Sequence, residues 1–472
     1  MEHYADQYIG GGWRPAAGPD TIVVLNPATE QPIATVPAGT AAEVDAAVAA
    51  ARAAAPGWAA SSREERLAAL TRLRDGLAAH RAEIAATVTA ELGTPAGFAD
   101  AVQAGTPIAV ASAYLDVLAD YAFHEKVGNS TVYAEPAGVV AAITPWNYPL
   151  HLIVAKVVPA LAAGCTVVLK PSEETPLIAR LFARIVDGAG LPPGVFNLVT
   201  GLGPVVGAAL AAHPGVDVVS FTGSTAVGRA IGESAGRGIK KVSLELGGKS
   251  ASVVLPGADL ARAVNVNLAN VFANSGQTCT AWTRLLVHRD QYEEALAIAA
   301  ASAAKYAPGD PADPATRVGP LVSARQRERV RECIDGALAD GARLVAGGPG
   351  APEGLERGYY VRPTVLADLP PDARAVQEEI FGPVLVVLPY DDEEHALALA
   401  NGTEYGLAGA VWAGDEESAA AFARRMETGQ VDINGGRFNP LAPFGGWKNS
   451  GVGRELGRHG LEEFLQTKSL QF

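Results

Sequence analysis

One of the three cysteines lies in a polar stretch that glycine interrupts. The stretch covers residues 274–280, Asn-Ser-Gly-Gln-Thr-Cys-Thr, with Cys279 sixth, between a helix-like apolar run and the strand-like run 285–287. Upstream, Glu245 is a lone carboxylate in an apolar strand that breaks at two glycines. A thiol and a carboxylate delivered to one cleft could be the nucleophile and base of covalent catalysis. Loops at element boundaries are where such groups are commonly held.

The other two cysteines have surroundings that favour packing. Cys165 lies in an apolar run and Cys333 in a charged helical stretch, where we expect a surface or packing role. No two of the three have paired spacing, which excludes a disulfide framework and a cysteine-based zinc site. The sequence therefore predicts no metal site and is typical of a reducing cytoplasm.

Composition limits the class of protein. A chain of 472 residues with 49% hydrophobic and 19% charged residues predicts a globular protein of two or three domains. A net charge of −14 and a pI of about 5.1 argue against nucleic acid or an anionic membrane as a partner. The first residues show no signal peptide, and the most apolar stretch, 154–169, is shorter than the ~20 residues of a membrane span. We expect a cytoplasmic protein.

Apolar strands alternate with helices along most of the chain. One series has strands near 138–143, 166–169, 195–199 and 216–221, and a second series runs from about 248 to 434. This alternation predicts an α/β fold with two doubly wound parallel-sheet domains. A hairpin near 126–136 and a strand at the end of the chain lie outside this pattern.

A rigid turn follows the first strand of the first series. It reads Thr-Pro-Trp-Asn-Tyr-Pro over residues 144–149, and two prolines fix the backbone around Asn147. The Asn147 amide could donate a preorganised hydrogen bond to a developing oxyanion. The alternative is an ordinary turn in which Asn147 caps its own backbone.

The next strand ends at Lys170-Pro171-Ser172-Glu173. Loops at the carboxyl ends of strands line the ligand crevice of a doubly wound sheet. Lys170 and Glu173 could therefore bind the ribose hydroxyls of an adenosine, and the carboxylate would repel a 2′-phosphate. A solvated charge pair is the alternative.

Two glycine clusters each follow a predicted strand, and an aromatic segment begins another. Residues 201–207 resemble a dinucleotide fingerprint with one residue too many, whereas Gly223 and Ser224 lie between a strand and a helix. Backbone N–H groups at such a helix start suit a pyrophosphate, although a tight turn is the alternative. Glu379 could bind a sugar diol and Phe381 could pack on a flat ring; the alternative is a surface acid beside a core aromatic.

Taken in order, these motifs resemble the aldehyde dehydrogenase superfamily over nearly the whole chain. The motifs are Pro-Trp-Asn at 145–147, 170–173, Phe-Thr-Gly-Ser at 221–224, Glu-Leu-Gly-Gly-Lys at 245–249, Gly-Gln-Thr-Cys at 276–279 and Glu-Ile-Phe-Gly-Pro at 379–383. The resemblance implies NAD(P)-dependent oxidation of an aldehyde to a carboxylic acid through a thiohemiacetal and a thioester on Cys279. Asn147 and the Cys279 N–H would hold the oxyanion, and Glu245 would activate water. Lys156 and Glu455 match positions used for proton relay.

The resemblance also implies the cofactor and its contacts. NAD is expected and NADP is possible, with Glu173 favouring NAD. The matching cofactor-binding positions are Ile143, Thr144, Pro145, Trp146, Lys170, Ser172, Glu173, Gly203, Gly207, Phe221, Thr222, Gly223, Ser224, Val227, Leu246, Gly247, Glu379 and Phe381.

The aldehyde itself is not specified by these motifs. The positions expected to line a substrate tunnel are Tyr148, Leu152, Thr278, Thr280, Arg437, Phe438 and Phe444. Ala155 stands where aromatic-rich relatives place a bulky ring, which disfavours a caged quaternary-ammonium aldehyde. Arg437 could bind a carboxylate-bearing aldehyde or could simply be a surface arginine.

The resemblance implies three structural units and an assembly. Residues 1–123 and 138–246 would bind the dinucleotide, 247–446 would be catalytic, and 124–137 with 455–472 would be a small β oligomerisation arm of a homodimer or homotetramer. The rival interpretations are a cofactor-independent cysteine hydrolase or acyl transferase and a catalytically silent family member. The hydrolase interpretation gives no use to the motifs at 170–173, 221–224 and 379–383. The presence of Cys279, Glu245 and Asn147 argues against a silent member.

Overall fold

The structure, a computed structural model, describes all residues from 1 to 472. It contains strands and α-helices in the following order. The strands are β1 Glu2–His3, β2 Asp6–Tyr8, β3 Trp13–Pro15, β4 Thr21–Asn26, β5 Gln31–Pro37, β6 His124–Val127, β7 Ser130–Pro136, β8 Val139–Ile143, β9 Thr166–Lys170, β10 Phe196–Leu198, β11 Val218–Thr222, β12 Lys241–Glu245, β13 Ala251–Val254, β14 Arg284–His288, β15 Arg343–Ala346, β16 Thr364–Ala367, β17 Val384–Tyr390, β18 Tyr405–Gly406, β19 Ala408–Trp412, β20 Gln430–Ile433, β21 Trp447–Lys448, β22 Gly451–Val452 and β23 Leu465–Gln471.

The α-helices are α1 Ala41–Ala59, α2 Arg63–Ala79, α3 Arg81–Leu92, α4 Ala96–Phe98, α5 Gly105–Asp120, α6 Pro149–Ala163, α7 Pro176–Gly188, α8 Ala208–Ala212, α9 Thr225–Arg237, α10 Leu260–Phe272, α11 Tyr292–Ala303, α12 Ala324–Ala339, α13 Arg374–Gln377, α14 Glu393–Asn401, α15 Glu416–Ala423 and α16 Gly457–Glu462. A capping box is present at the start of α2, where Ser62 and Glu65 exchange backbone-to-side-chain hydrogen bonds of 2.7 and 3.1 Å. It satisfies N–H groups that the first helical turn leaves free.

The first large sheet has eight strands in the order β22-β12-β11-β8-β9-β10-β2-β3. From β8 the chain builds outward through β9 and β10, then returns to place β11 and β12 on the other side, all five strands being parallel. This is the doubly wound arrangement that the sequence predicted. Its direction reverses between β8 and β11, and such a switch point opens a crevice at the carboxyl ends of the strands.

The second large sheet has seven strands in the order β15-β16-β17-β14-β13-β19-β20. All neighbours pair in parallel except β15, which is antiparallel to β16 at one edge. The linker 246–250 joins β12 of the first sheet directly to β13 of the second. The two sheets therefore meet where Glu245 ends its strand.

Helices cover both faces of each large sheet. Along β8, Val139, Ala141 and Ile143 face one hydrophobic cluster and Val140 and Ala142 face another. Side chains that alternate between two buried faces produce the continuous apolar runs seen in the sequence. The predicted α/β class is confirmed.

A third, smaller sheet has the order β23-β7-β6. It contains the predicted hairpin and the final strand, which pairs antiparallel with β7 from Leu465↔Pro136 to Gln471↔Ser130. The side chains of β6 and nearly all of β23 are exposed. This sheet projects from the two helix-covered sheets as an arm.

One helical segment, Ala96–Asp120, is long and apolar enough to cross a membrane by length and composition alone. The sequence expectation had considered only residues 154–169. Residues Ala99–Ala104 of this segment form a π-helix. The part of the segment that forms α5 packs on α2 and α6. Core helices of this kind satisfy the same criterion, and 44% of the apolar window is buried.

Candidate active site

The motif residues that follow the strands of the first large sheet lie together at the switch point between β8 and β11. Ile143 is paired with Phe221 on one side and with Lys170 on the other, and Thr222 is paired with Glu245. Parallel pairing places these strand ends at the same edge of the sheet. The loops that carry the predicted cofactor residues therefore start side by side.

Cys279 lies in a strained loop between α10 and β14, as the sequence predicted. Asn274 and Ser275 have φ of +49° and +58°, in the left-handed region that is unfavourable for residues with a side chain. Gly276 follows with φ of +74°. A side chain at Gly276 would overlap the backbone of Gly382, so glycine is required there. Strain of this kind persists only where the surroundings hold it, and it is common at functional sites.

The Asn147 amide is fixed next to that loop. Its Nδ2 donates a hydrogen bond to the Gln277 carbonyl at 3.1 Å. The Asn147 carbonyl accepts hydrogen bonds from Gln103 Nε2 at 2.9 Å and Asn274 Nδ2 at 2.8 Å. One amide N–H of Asn147 therefore remains for a ligand, and the alternative of a turn that only caps itself does not describe these contacts.

Glu245 is a buried carboxylate without a hydrogen-bond partner. It is 2% exposed, and neither of its oxygens makes a hydrogen bond within the protein. A Cβ at Gly445 would lie 2.7 Å from Glu245 Oε1, so the glycine-dense stretch 443–455 brings backbone against the carboxylate. Burial, and next the charge of Glu455, raise the pKa of Glu245 well above 4.5. A raised pKa makes the ionised carboxylate a stronger base than an ordinary glutamate.

The Cys279 thiol belongs to the same cleft. A Cβ at Gly248 would lie only 2.5 Å from the carbonyl oxygen of Cys279, so the two backbones are in close contact. Gly248 is three residues beyond Glu245. Burial, and then the charges of Glu379 and Glu245, raise the pKa of Cys279 to about 12. The Cys279 N–H acts in the opposite direction by favouring the ionised sulfur. The resting thiol is therefore neutral and needs a base to become a nucleophile.

Lys156 and Glu455 form a buried ion pair beyond Glu245. Both side chains are almost inaccessible, and Lys156 Nζ donates to Glu455 Oε1. Phe444 exchanges two backbone hydrogen bonds of 2.7 Å with Glu455, which ties the pair to the cleft wall. The pair acts on Glu245 electrostatically, since the charge of Glu455 raises its pKa and that of Lys156 lowers it.

The predicted ribose residues lie together at the end of β9. Lys170 Nζ contacts Glu173 Oε2 at 2.8 Å, with Lys170 buried and Glu173 partly open. Burial alone would raise the pKa of Glu173, but Lys170 and the Gly203 backbone outweigh it and lower the pKa. The residues from Gly203 to Gly207 form a wide helical turn that continues into α8.

The start of α9 matches the predicted phosphate site. Ser224 is its N-cap, and its Oγ accepts a hydrogen bond from Val227 N at 3.4 Å. A side chain at Gly223 would overlap the Phe221 ring, so this turn requires glycine. Val227 is 49% exposed, which leaves the first turn of α9 open to a ligand.

The remaining cofactor residues form the opposite wall. Glu379 Oε1 accepts a hydrogen bond from Gly248 N at 3.1 Å, and a Cβ at Gly247 would lie 2.7 Å from Glu379 Oε2. The rings of Phe381 and Trp146 meet edge to face at 5.3 Å. The residues present therefore fit a dinucleotide, with acids for ribose hydroxyls, a helix start for phosphates and aromatic rings between them.

The predicted tunnel residues are only partly brought together. Tyr148 OH and Thr278 Oγ1 are hydrogen-bonded at 2.8 Å beside Cys279, and Leu152 and Phe444 line the buried side. Thr280 is partly buried next to Cys279. Arg437 is exposed and forms no ion pair, in agreement with a surface arginine. Phe438 is 48% exposed.

Several residues of the site had no role predicted from the sequence. Gln103, Asn274 and Gln277 position Asn147 and the cysteine loop, and His151 contacts Phe438 with ring centroids 6.2 Å apart. His151 could have been found from its spacing, since it lies one helical turn after Tyr148. Gln103 is far from every motif in sequence, and only the packing of its helix brings it to the site.

Comparisons with known proteins agree with this geometry. The profile described as "Aldehyde dehydrogenase family" matches residues 13–470. The chain is 46% identical over 471 residues to "3-succinoylsemialdehyde-pyridine dehydrogenase" from Pseudomonas sp., covering 100% of this chain and 99% of that protein. It is 43% identical over 470 residues to a putative aldehyde dehydrogenase of Staphylococcus aureus, covering 100% and 99%.

Solved structures give the same result. A mutant of aldehyde dehydrogenase C from Pseudomonas syringae, complexed with NAD+ and octanal, has a TM-score of 0.98 at 46% identity, covering 99% of this chain and 96% of that one. The Mycobacterium tuberculosis aldehyde dehydrogenase complexed with NAD+ has a TM-score of 0.98 at 42% identity, covering 100% and 98%. The chain belongs to the aldehyde dehydrogenase family and is an NAD-dependent enzyme of aldehyde oxidation.

Proposed function

We propose that Cys279 is the nucleophile that attacks the aldehyde carbon. The observation that carries this proposal is one cleft holding a thiol, a carboxylate without a partner and a fixed amide. The thiol is neutral at rest, so its proton must pass to a base in the cleft before the sulfur attacks. Bound NAD supplies the acceptor for the hydride whose loss turns the thiohemiacetal into a thioester.

Asn147 and the Cys279 N–H would hold the oxygen of the thiohemiacetal. The Asn147 side chain is already restrained through Gln277, and its carbonyl through Gln103 and Asn274. A donor that is positioned before the reaction needs no reorganisation as negative charge develops on oxygen. This restraint is the role we assign to the three polar neighbours.

Glu245 would then activate the water that hydrolyses the thioester. Its two oxygens have no competing partner, and its raised pKa makes the carboxylate a stronger base than an ordinary glutamate. The Lys156–Glu455 pair would pass the proton onward, because it lies within electrostatic reach of Glu245.

The cofactor preference follows from the Glu173 carboxylate. It remains ionised beside Lys170 and near Gly203, where we place the adenosine ribose. A second negative group at the 2′ position would be repelled there. We therefore infer that NAD is preferred over NADP.

We also propose the division into a dinucleotide-binding unit, a catalytic unit and an arm at the predicted boundaries. The two large sheets and the exposed β23-β7-β6 sheet support it. The arm would join copies into a homodimer or homotetramer, because its exposed strands have no core of their own. Three unpaired cysteines support a cytoplasmic setting.

The test is a stopped-flow measurement of NADH formation by Glu245→Gln with the aldehyde and NAD in excess over the enzyme. We expect a burst of about one NADH per active site and then a stall, because thioester hydrolysis has lost its base. Cys279→Ala is the control and should give neither burst nor turnover. Steady turnover of Glu245→Gln at the wild-type rate would contradict the role of Glu245. Absence of NADH from wild type, together with hydrolysis of activated esters, would favour a cofactor-independent hydrolase.

A further inference from the structure

His151 lies on the face of α6 that looks toward the cysteine loop. Tyr148, His151, Leu152 and Ala155 have the spacing of one helical face, i, i+3, i+4 and i+7. Tyr148 fixes the direction of that face, because its hydroxyl is hydrogen-bonded to Thr278 at 2.8 Å, next to Cys279. His151 therefore lies one turn, about 5 Å along the helix axis, farther from the reacting sulfur.

The His151 ring has a fixed orientation but no polar partner. It meets the Phe438 ring at 6.2 Å with an interplanar angle of 84°. Nδ1 is buried and makes no hydrogen bond, and Nε2 likewise makes none but is not enclosed. The residue is partly buried as a whole. Nε2 is therefore open to a molecule that reaches this face of α6, and the Phe438 ring lies beside the imidazole.

The ring is neutral at physiological pH. Burial lowers the pKa of His151 to about 4, with Lys156 adding to the shift and Glu455 opposing it. A neutral imidazole carries one N–H and one bare nitrogen. A buried N–H without an acceptor is rarer than a buried acceptor without a donor. The proton is therefore expected on Nε2, the nitrogen that is not enclosed.

We propose that His151 is a specificity-determining residue that donates a hydrogen bond from Nε2 to a neutral acceptor on the aldehyde. The acceptor, such as a ring nitrogen or a ketone oxygen, would lie on the part of the substrate remote from the reacting carbonyl. Phe438 and Leu152 would pack on the carbon skeleton between them. The inference rests on the proposed function, since it requires the reacting carbonyl at Cys279.

The charged alternative has less support in this structure. Arg437 could select a carboxylate only by reaching back from an exposed position, and it has no contact that holds it near the tunnel. A neutral His151 cannot balance a carboxylate that passes beside it. The side chains on the tunnel wall therefore favour uncharged aldehydes with one polar atom.

The test compares two aldehydes of nearly identical shape, 3-phenylpropanal and 3-(pyridin-3-yl)propanal, at a pH of about 8. One neutral hydrogen bond changes affinity by roughly three- to tenfold, so wild-type kcat/KM should favour the pyridyl aldehyde by that factor. His151→Leu should bring the ratio of the two kcat/KM values to about one. His151→Gln, which keeps an N–H donor, should restore part of the preference.

The ratio is insensitive to the fraction of folded enzyme, because both aldehydes are assayed on the same preparation. His3→Leu, which removes an exposed histidine from the N-terminal strand β1, is the control and should keep the wild-type ratio. A wild-type ratio of one, or a preference that survives in His151→Leu, would overturn the inference alone. No NADH from either aldehyde would overturn the proposed function and this inference with it.

Discussion

The pKa values of the two predicted reacting groups of the cleft are both raised, and burial is the largest cause in each case. The pKa of Cys279 is raised to about 12 and that of Glu245 is raised well above 4.5. The charge of Glu245 contributes to the shift at Cys279, so an ionised Glu245 disfavours the thiolate. We propose that the thiol stays protonated until its proton can leave the cleft, with the Lys156–Glu455 pair as the proposed relay.

This arrangement predicts the pH dependence of turnover. Only ionised Glu245 can accept a proton, and its raised pKa means that the ionised fraction increases over a higher pH range than for an ordinary glutamate. The rate of thioester hydrolysis should therefore rise with pH, by up to about tenfold per unit below the pKa, and should not level off near pH 5.5. Stopped-flow measurement of the step after the NADH burst would show it. A rate that is flat from pH 6 to 9 would remove Glu245 as the base.

The Glu173 carboxylate makes a second prediction at the residue scale. Glu173→Gln should relax discrimination against NADP, because the amide keeps hydrogen-bonding capacity but no longer repels a 2′-phosphate. The readout is the ratio of kcat/KM for NAD to that for NADP. Glu174→Gln, next in sequence and facing Arg325 at 3.8 Å, is the matched control. An unchanged ratio in Glu173→Gln would exclude Glu173 from cofactor selection.

At the scale of elements, a buried carboxylate joins two helices of the first domain. Glu91 near the end of α3 is inaccessible, and its two oxygens accept hydrogen bonds from Leu177 N at 2.8 Å and Ile178 N at 3.0 Å. These are N–H groups at the start of α7 that have no partner within their own helix. Burial raises the pKa of Glu91 to about 8, with the two N–H groups opposing the shift.

Glu91→Ala should therefore destabilise the protein by roughly 2–5 kcal/mol, since two buried N–H groups would lose their acceptor. The measurement is the midpoint of thermal or urea unfolding. Glu83→Ala, on the same helix, removes an exposed ion pair with Arg184 and should cost less than about 1 kcal/mol. Equal effects of the two substitutions would show that Glu91 does not cap α7.

At the scale of the whole molecule, the active site lies where the two large sheets meet. Glu245 ends the last parallel strand of one sheet, Gly247 and Gly248 cross to the other, and Cys279 precedes β14 there. The late strand β22 returns from the far end of the chain to pair with β12 at Glu245↔Gly451. Both sheets and the C-terminal stretch must therefore be in place before the cleft exists.

The arm predicts the state of assembly. The wild-type chain should run as a dimer or tetramer of its 48.5 kDa mass in light scattering. Deletion of residues 466–472 should give smaller species, because β7 would lose its partner strand and the arm its outer edge. Cys279→Ala, which lies far from the arm in sequence, should assemble normally. A wild-type protein that runs as a monomer would contradict the proposal.

Much of the fold followed from periodicity in the sequence. The parallel strands were predicted because buried strands give apolar runs between helical segments, and β8, β9 and β11 appear within two residues of their predicted bounds. Short or polar strands were missed, among them β1 to β3 and β16. A strand of two to four residues has too few side chains to show a period, and its existence depends on the neighbour that it pairs with.

The sequence by itself determined which groups are present: the thiol of Cys279, the carboxylate of Glu245, the amide of Asn147 and the loops that follow parallel strands. Local order was enough for this, because strand–turn–helix motifs form within a few residues. Tertiary structure alone decided that Glu245 has no partner, that Gln103 and Asn274 fix Asn147, and that His151 faces Phe438. Those features depend on burial and on contacts between residues far apart in the chain, which no local pattern encodes.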